Sequence, residues 1–217
     1  MKMGKLITFE GPDTCGKTTT INKLKTALPI IFENERFMFT REPGNLLSKR
    51  KNNTPEQIRY ELLTNENLTT QEQAKLFAQA RLYHVKDIIR ELKKGKNVIT
   101  DRFILSSLVY QGMEIGYDTV IEINKKALDM LKENEIEINN IVLHIDKSTY
   151  EKRISNRKKD AMEQVDEEII DKRIDFHKDE EFLKNLNIGN IYQVNANNVS
   201  TNTVMQTLNH IHNILNK

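Results

Sequence analysis

The sequence predicts an α/β fold in which helices cover both faces of a parallel five-stranded sheet. Short apolar runs alternate with helical patterns along the chain, which is typical of parallel strands joined by helices. A glycine-rich loop of the phosphate-binding kind lies between the first strand and the first helix. The length of 217 residues fits one domain, so we expect a single domain over residues 1–217.

The predicted strands lie at residues 6–10, 37–40, 97–101, 141–146 and 190–194, where apolar and β-branched residues cluster. Apolar residues at helical spacing predict helices at 18–28, 55–63, 71–94, 104–111, 119–133, 148–157, 166–186 and 201–215. Gly95 falls where the long third helix should end. Ligands of such sheets bind outside the carboxyl ends of the strands, so the residues that follow strands are the candidates for function.

Charge, cysteine content and the lack of long apolar segments indicate which classes of protein the chain can belong to. The net charge of +2 gives no indication of a nucleic-acid or membrane partner. Cys15 is the only cysteine, which excludes an intrachain disulfide and favours a reducing compartment. The N-terminus lacks the apolar run of a signal peptide and no stretch is long enough to span a bilayer, so we expect a cytoplasmic protein.

Residues 11–18 read G-P-D-T-C-G-K-T and match the pattern G-x-x-x-x-G-K-[ST]. Backbone N–H groups of such a loop cradle a polyphosphate, and Gly11 and Gly16 let the backbone approach the oxygens. Lys17 is expected to reach the β- and γ-phosphates, and the Thr18 hydroxyl to ligate Mg²⁺. A chance glycine-rich turn is the alternative, and the flanking strand and helix argue against it. The residues predicted to bind the phosphate donor are Gly11, Pro12, Asp13, Thr14, Cys15, Gly16, Lys17, Thr18 and Thr19.

Two arginines follow predicted strands. Arg41 comes after the second strand, where Pro43 disfavours a helix, and Asp101 with Arg102 ends the third. A guanidinium binds phosphate through paired hydrogen bonds, so these positions indicate a phosphorylated acceptor. The alternative for Arg102 is a structural ion pair with its own neighbour.

Phe77 and Arg81 share one face of the long helix, because they are four residues apart. An aromatic plane beside a cationic donor suits the binding of a nucleobase. The alternative is that Phe77 is a core residue and Arg81 a surface cation, because the same spacing is typical of an ordinary amphipathic helix. Ser107 and Gln111 are spaced in the same way, with Tyr110 beside them, and they have the polar groups needed to read a base edge.

The polar stretch from residue 155 to 168 joins two helical patterns. A solvated surface connection is the simplest interpretation. The other interpretation is a lid over about residues 153–166 that closes on the active site, because phosphoryl transfer must exclude water.

Four motifs occur in a fixed order. They are F-E-G-P-D at 9–13 with G-K-T-T at 16–19, T-R-E-P-G at 40–44, L-F-A-Q-A-R at 76–81, and D-R-F at 101–103 with S-S-L-V-Y-Q-G at 106–112. Together they resemble the thymidylate kinase family, which transfers the γ-phosphoryl of ATP to dTMP. The resemblance implies a P-loop kinase fold, ATP as donor, Mg²⁺ as cofactor, dTMP as substrate and a homodimer.

The resemblance also implies roles at the base. Phe77 would stack on thymine and Arg81 would bond its O4 atom. Ser107 and Gln111 would face the polar edge of the base. Tyr110 would lie against the sugar near C2′ and disfavour a ribose hydroxyl.

At the other end of the acceptor, the resemblance implies that Asp13 bonds the 3′-hydroxyl and that Arg41 and Arg102 hold the 5′-phosphate. Asp101 would help to orient the Mg²⁺ shell.

Family members place a catalytic arginine either in the phosphate loop or in the lid. Thr14 stands at the loop position here, so we expect the lid to supply it, from Arg157 first and Arg153 second. Two departures from the family pattern are Ala161, which replaces a lid arginine, and Asn45, which replaces a glycine.

Two rival functions remain at this stage. A deoxynucleoside kinase, or a kinase for another nucleoside monophosphate, also combines such a loop with a strand-end arginine. A non-catalytic switch of the GTPase kind reads guanine with an N-K-x-D element, whereas residues 124–127 read N-K-K-A within a helical pattern.

Overall fold

The computed structural model describes residues 2–44, 54–155, 166–198 and 200–217, with the backbone alone at residue 54. Five strands form one parallel sheet in the order β2-β3-β1-β4-β5. Helices connect the strands, so the predicted α/β class is confirmed. The strands are β1 (Leu6–Glu10), β2 (Arg36–Arg41), β3 (Lys96–Asp101), β4 (Ile138–His144) and β5 (Asn190–Asn195).

The helices agree with the predicted positions to within a few residues, with the exceptions described below. They are α1 (Lys17–Ile31), α2 (Thr54–Thr64), α3 (Thr70–Lys93), α4 (Ile104–Ser107), α5 (Met113–Ile115), α6 (Tyr117–Glu133), α7 (Lys147–Ile154), α8 (Glu167–Lys178), α9 (Glu180–Asn185) and α10 (Ser200–Leu215). A π-helical turn, Leu108–Gly112, lies between α4 and α5.

The chain divides into two compact units. The acceptor unit, as we name it, comprises residues 1–7 and 34–137, and the donor unit comprises residues 8–33 and 138–217. The single domain over residues 1–217 stays a prediction.

In the acceptor unit, β2 and β3 pair in parallel, from Arg36 opposite Lys96 to Arg41 opposite Asp101. Helix α3 packs on this unit through an apolar stripe that ends in Ile88 and Leu92. Its start is fixed by a reciprocal cap, in which Glu72 N donates to Thr69 Oγ1 and Thr69 N donates to Glu72 Oε2 at 2.8 Å. The long helix that carries Phe77 and Arg81 therefore begins at a defined residue.

In the donor unit, β4 and β5 pair in parallel, and the residues at the centre of β4 are fully buried. Ile211 and Ile214 of α10 are buried in the core of the same unit, as are Leu24 and Leu28 of α1. These apolar faces hold the phosphate loop, which leads directly into α1.

Three predicted boundaries are wrong. β4 begins at Ile138 rather than at 141, because Asn139 and Asn140 are buried strand residues whose polarity concealed the strand. The buried Asn140 side chain is hydrogen-bonded inside the protein. Its Oδ1 accepts from Thr8 Oγ1 at 2.8 Å, and its Nδ2 donates to the Ile188 carbonyl at 2.7 Å.

The predicted helix 166–186 is two helices, because Asp179 interrupts it. The Asp179 carboxylate accepts from Phe182 N at 2.9 Å and so caps the start of α9. The predicted helix 104–111 is regular only as far as Ser107, after which the π-helical turn widens it.

Candidate active site

The phosphate loop connects β1 to α1. Lys17 opens α1, and its Nζ donates to the carbonyl oxygens of Gly11 at 2.8 Å and Pro12 at 2.9 Å. The side chain therefore curls over the loop, and the residue is only 7% exposed. A buried ammonium held by carbonyl dipoles is a positive centre fixed at the site predicted for phosphate. The Thr18 hydroxyl belongs to an exposed residue in the first turn of the same helix.

Gly11 has a structural reason to be glycine. Its φ is 148°, and a Cβ atom built there would lie 2.4 Å from the Leu143 carbonyl oxygen and 2.7 Å from Cys15 Sγ. Any side chain would push the loop away from β4. Cys15 itself is 1% exposed, and Lys17 Nζ approaches its sulfur at 3.6 Å. Burial of the thiol argues against a redox role.

Arg153 of α7 holds the backbone of the loop. Its Nη1 donates to the carbonyl oxygens of Thr14 and Cys15, each at 3.2 Å, and its Nη2 donates to the Ala196 carbonyl at 2.8 Å. Thr14 has a φ of 63°, a left-handed conformation that a threonine rarely adopts without support. Arg153 thus joins this strained residue to the segment that follows β5. Sequence reasoning found Arg153 but assigned it to catalysis in the lid, and that role stays a prediction.

The segment after β5 is also held to the end of β4. Asn197 Nδ2 donates to Asp146 Oδ2 at 2.7 Å, and Asp146 N donates to Asn197 Oδ1 at 2.7 Å. A hydrogen bond from Lys178 lowers the pKa of Asp146, so the carboxylate stays ionised. Burial, followed by the charge of Lys178, lowers the pKa of His144 at the end of the strand. A neutral His144 therefore lies beside an ionised Asp146.

In the acceptor unit, the ends of β2 and β3 bring Arg41 and Asp101 side by side as register partners. Glu42 N donates to the Asp101 carbonyl at 2.9 Å and continues the ladder past the strand. Arg41 is exposed. Both residues thus lie at strand ends, and their predicted roles at the acceptor and at Mg²⁺ stay predictions.

Arg102 adopts a φ of 66°, which is unusual for a residue with a side chain. Its Nη1 donates to Ser106 Oγ at 3.2 Å, and its guanidinium carbon lies 5.2 Å from the centre of the Tyr110 ring. Half-buried Tyr110 and Arg102 therefore form one cationic, aromatic surface. The left-handed turn directs the arginine back along its own segment, and strain of this kind is concentrated at functional sites.

Arg81 is not a surface cation, so that alternative is wrong. The residue is 2% exposed. Its Nε donates to Glu42 Oε2 at 2.7 Å, and its Nη2 donates to Ser107 Oγ at 2.9 Å. Nη2 also donates to the Phe103 carbonyl at 3.1 Å, and Nη1 donates to Asn124 Oδ1.

One of the residues predicted at the base, Ser107, contacts this guanidinium. Phe77 is half-buried on the preceding turn of α3, and Ser107 accepts a hydrogen bond from Arg81. Gln111 is 1% exposed, and its Nε2 has no hydrogen-bond partner among the residues that the structure describes. A buried amide without a partner is costly unless a ligand supplies one, which supports the prediction that Gln111 reads a base.

Sequence reasoning missed Arg59 of α2. Its Nη1 donates to the Pro43 carbonyl at 2.7 Å, and the residue is half-buried. Burial, followed by the charge of Arg41, lowers the pKa of Arg59, and the charge of Glu56 acts in the opposite direction. The pair increases the positive charge beside the end of β2. No spacing pattern in the sequence relates Arg59 to Arg41, because the two residues belong to different elements, α2 and β2.

A sequence model described as thymidylate kinase matches residues 9–207. The chain belongs to the thymidylate kinase family. It is 37% identical over 180 residues to a thymidylate kinase of Limosilactobacillus reuteri, covering 81% of this chain and 78% of that protein. It is 36% identical over 183 residues to a thymidylate kinase of Clostridium novyi, covering 82% of each.

A crystal structure of thymidylate kinase from Ehrlichia chaffeensis shares the fold. It superposes with a TM-score of 0.69 at 22% identity and covers 97% of this chain and 99% of that one. The predicted P-loop kinase fold is thus confirmed.

Some predictions for a thymidylate kinase fall outside the described residues. Arg157, Ala161 and Asn45 are among them, and so is most of the predicted lid. Within residues 2–44, 54–155, 166–198 and 200–217 there is no group of three or more His, Cys, Asp or Glu residues arranged to hold a metal ion. The same ranges contain no helix that is both long and apolar enough to cross a membrane.

Proposed function

We propose that this protein transfers the γ-phosphoryl group of ATP to the 5′-phosphate of dTMP, giving ADP and dTDP. The observation that carries the proposal is the family match over residues 9–207, because that range includes both the phosphate loop and every residue predicted at the acceptor. Membership of the thymidylate kinase family favours this reaction over a deoxynucleoside kinase or a nucleotide-binding switch.

At the donor, Lys17 and the loop N–H groups bind the phosphates of ATP. Little covalent work is required of the protein, since an oxygen of the dTMP phosphate attacks the γ-phosphorus while the bond to the β–γ bridging oxygen breaks. The chain contributes by positioning the donor and by neutralising charge on the transferred group. The buried ammonium of Lys17 serves both purposes.

At the acceptor, Arg41 and Arg102 hold the 5′-phosphate, and Arg59 adds positive charge beside Arg41. Phe77 stacks on thymine, and Gln111 supplies a donor for a base oxygen. Arg81 is expected to bond O4 through its remaining N–H group.

The other contacts to dTMP are also proposals. Asp13 bonds the 3′-hydroxyl, Ser107 faces the base, and Tyr110 lies against the sugar.

Mg²⁺ is the expected cofactor. A hydroxyl and a carboxylate are oxygen donors of the kind that Mg²⁺ prefers, and Thr18 and Asp101 provide them. When bound, the ion offsets negative charge on the phosphate oxygens. Thr18 is exposed and Asp101 is half-buried.

The lid is proposed over residues 153–166, with Arg157 as the first choice for the cation that neutralises the transferred phosphoryl group. Arg153 is the second choice. A homodimer and a cytoplasmic location stay predictions from the sequence.

A panel of acceptors tests the proposed function. The purified chain is incubated with ATP and magnesium, and ADP formation is measured with dTMP, dUMP, dGMP or thymidine as acceptor. We expect dTMP to give a higher kcat/KM than dGMP or thymidine. Preference for thymidine would instead identify a deoxynucleoside kinase, and GTP-dependent partner binding without phosphotransfer would identify a switch.

A further inference from the structure

A chain of buried hydrogen bonds lies behind the Arg81 guanidinium. Glu42 Oε2 accepts from Arg81 Nε at 2.7 Å, and Glu42 Oε1 lies 3.2 Å from His84 Nδ1. His84 Nε2 lies 2.7 Å from Thr40 Oγ1. Thr40, Glu42 and His84 are 7%, 6% and 2% exposed. Neither the sequence motifs nor the proposed function gives Thr40 or His84 a role.

The chemistry of the partners fixes the direction of the two hydrogen bonds to Glu42. Glu42 is paired with a guanidinium, and an ionised carboxylate only accepts, so His84 Nδ1 carries the proton. The roles at the other nitrogen depend on whether the ring is protonated. Nε2 of an imidazole that carries one proton accepts from the Thr40 hydroxyl, and Nε2 of an imidazolium donates to the Thr40 oxygen. Both Glu42 oxygens therefore have a donor, and both ring nitrogens of His84 have a hydrogen-bond partner.

The order carboxylate, imidazole and hydroxyl also occurs in nucleophilic catalysis, but the surroundings here exclude that use. Thr40 is a buried strand residue, so a substrate carbon or phosphorus cannot approach its hydroxyl. The second oxygen of Glu42 forms an ion pair with Arg81. The arrangement is therefore suited to holding groups in place rather than to attack.

Two acceptor-binding groups depend on where Glu42 is held. Arg81 takes its orientation from the Glu42 carboxylate and transmits it to Ser107, the residue predicted to face the base. Glu42 is also the chain neighbour of Arg41, and its N–H group donates to the Asp101 carbonyl. A shift of the Glu42 side chain alone would thus disturb the base end of the acceptor site, and a shift of the whole residue would disturb the phosphate end as well.

We infer that His84 and Thr40 are positioning residues for the acceptor, acting through Glu42 on Arg81 and Arg41. The inference rests on the proposed function for the identity of the acceptor, dTMP. His84 holds Oε1 of Glu42 so that Oε2 faces Arg81 Nε, and Thr40 fixes the rotation of the imidazole ring. The chain of hydrogen bonds leads to Arg81 and includes no residue of the phosphate loop, so we expect it to affect the affinity for dTMP and not the affinity for ATP.

The test compares Thr40→Val, His84→Asn and His84→Leu. Valine keeps the shape of threonine and removes the hydroxyl, asparagine keeps a donor for Glu42, and leucine removes both hydrogen bonds. Thr207→Val is the matched control, because Thr207 is also fully buried and its hydroxyl donates at 2.7 Å to the Thr203 carbonyl in α10. The dissociation constants for dTMP and for ATP are measured by calorimetry, with the melting temperature of each variant.

We expect the Kd for dTMP to rise about threefold to tenfold in Thr40→Val and His84→Asn, and further in His84→Leu, while the Kd for ATP stays within a factor of about two. Thr207→Val should lower the melting temperature and leave both constants unchanged. Equal effects on dTMP and ATP, or unchanged dTMP binding in His84→Leu, would overturn the inference. Absence of dTMP binding by the wild type would overturn it together with the proposed function.

An independent readout is the tautomer of His84, observed by ¹⁵N NMR of the imidazole. The inference requires a proton on Nδ1, and Glu42→Gln should change that signal. A proton on Nε2 alone would contradict it. If the wild type binds dTMP without phosphorylating it, only the proposed reaction fails, and the dTMP affinities still decide the role of His84.

Discussion

Arg153 Nη2 donates a 2.8 Å hydrogen bond to the carbonyl oxygen of Ala196, which joins α7 to the segment after β5. The other end of the same guanidinium holds the backbone of the phosphate loop at Thr14 and Cys15. One planar side chain with several donors therefore supports two segments of the donor unit.

The first prediction follows from this arrangement. Arg153→Ala should raise the KM for ATP about tenfold or more, because three hydrogen bonds from a charged group are lost and Thr14 loses support for its strained conformation. Arg153→Lys should rescue only part of the effect, since one ammonium cannot reproduce the planar fork. Lys152→Ala is the control for removal of a neighbouring cation from α7. Steady-state kinetics with ATP varied would detect the change, and an unaltered KM would show that the contacts have no functional role.

The second prediction concerns the lid. Arg157→Ala should lower kcat by about 10³-fold or more and change the KM for dTMP little, as expected when a cation stabilises only the transferred phosphoryl group. Single-turnover kinetics at saturating substrates would measure it. If Arg157→Ala and Arg153→Ala both keep kcat near the wild-type value, the assignment of catalysis to the lid is wrong.

The third prediction tests stacking on the base. Phe77→Leu keeps an apolar side chain but removes the aromatic plane, and loss of base stacking costs about 1–3 kcal/mol. The KM for dTMP should therefore rise about tenfold. Phe182→Leu, which changes a half-buried phenylalanine of α9, is the matched control. Equal KM values in Phe77→Leu and the wild type would identify Phe77 as a core residue.

The fourth prediction is a pH dependence of stability. Hydrogen bonds from Lys94 and Lys96, each 2.7 Å long, lower the pKa of Glu91 to about 2, against an ordinary value of 4.5. A carboxyl whose pKa falls on folding stabilises the protein fully above its unfolded pKa and loses that contribution as the pH falls. We expect the melting temperature to drop between about pH 4.5 and pH 2.

Glu91→Gln provides the check on this prediction. It should lower the melting temperature at pH 7, and its difference from the wild type should shrink as the pH approaches 2. Glu133→Gln changes an exposed carboxylate at the end of α6, and its melting temperature should equal that of the wild type at every pH. A constant difference between Glu91→Gln and the wild type across the range would contradict the role of Glu91.

Local sequence determines some of these features and not others. The phosphate loop was predictable because its glycines, its lysine and the flanking strand and helix all lie within a few residues of one another. The burial of Arg81 could not be predicted from local sequence, because its partners Glu42, Ser107 and Asn124 come from distant parts of the chain. The start of β4 was predicted wrongly for the same reason. Asn140 can be buried in the strand because Thr8, on another strand, donates a hydrogen bond to it.

The account depends most on where dTMP binds. A crystal structure of the protein with dTMP and a non-hydrolysable ATP analogue tests this directly. We predict 5′-phosphate oxygens within about 3 Å of the Arg41 and Arg102 guanidinium groups, with thymine stacked on Phe77. A dTMP molecule bound away from these three residues would contradict the account.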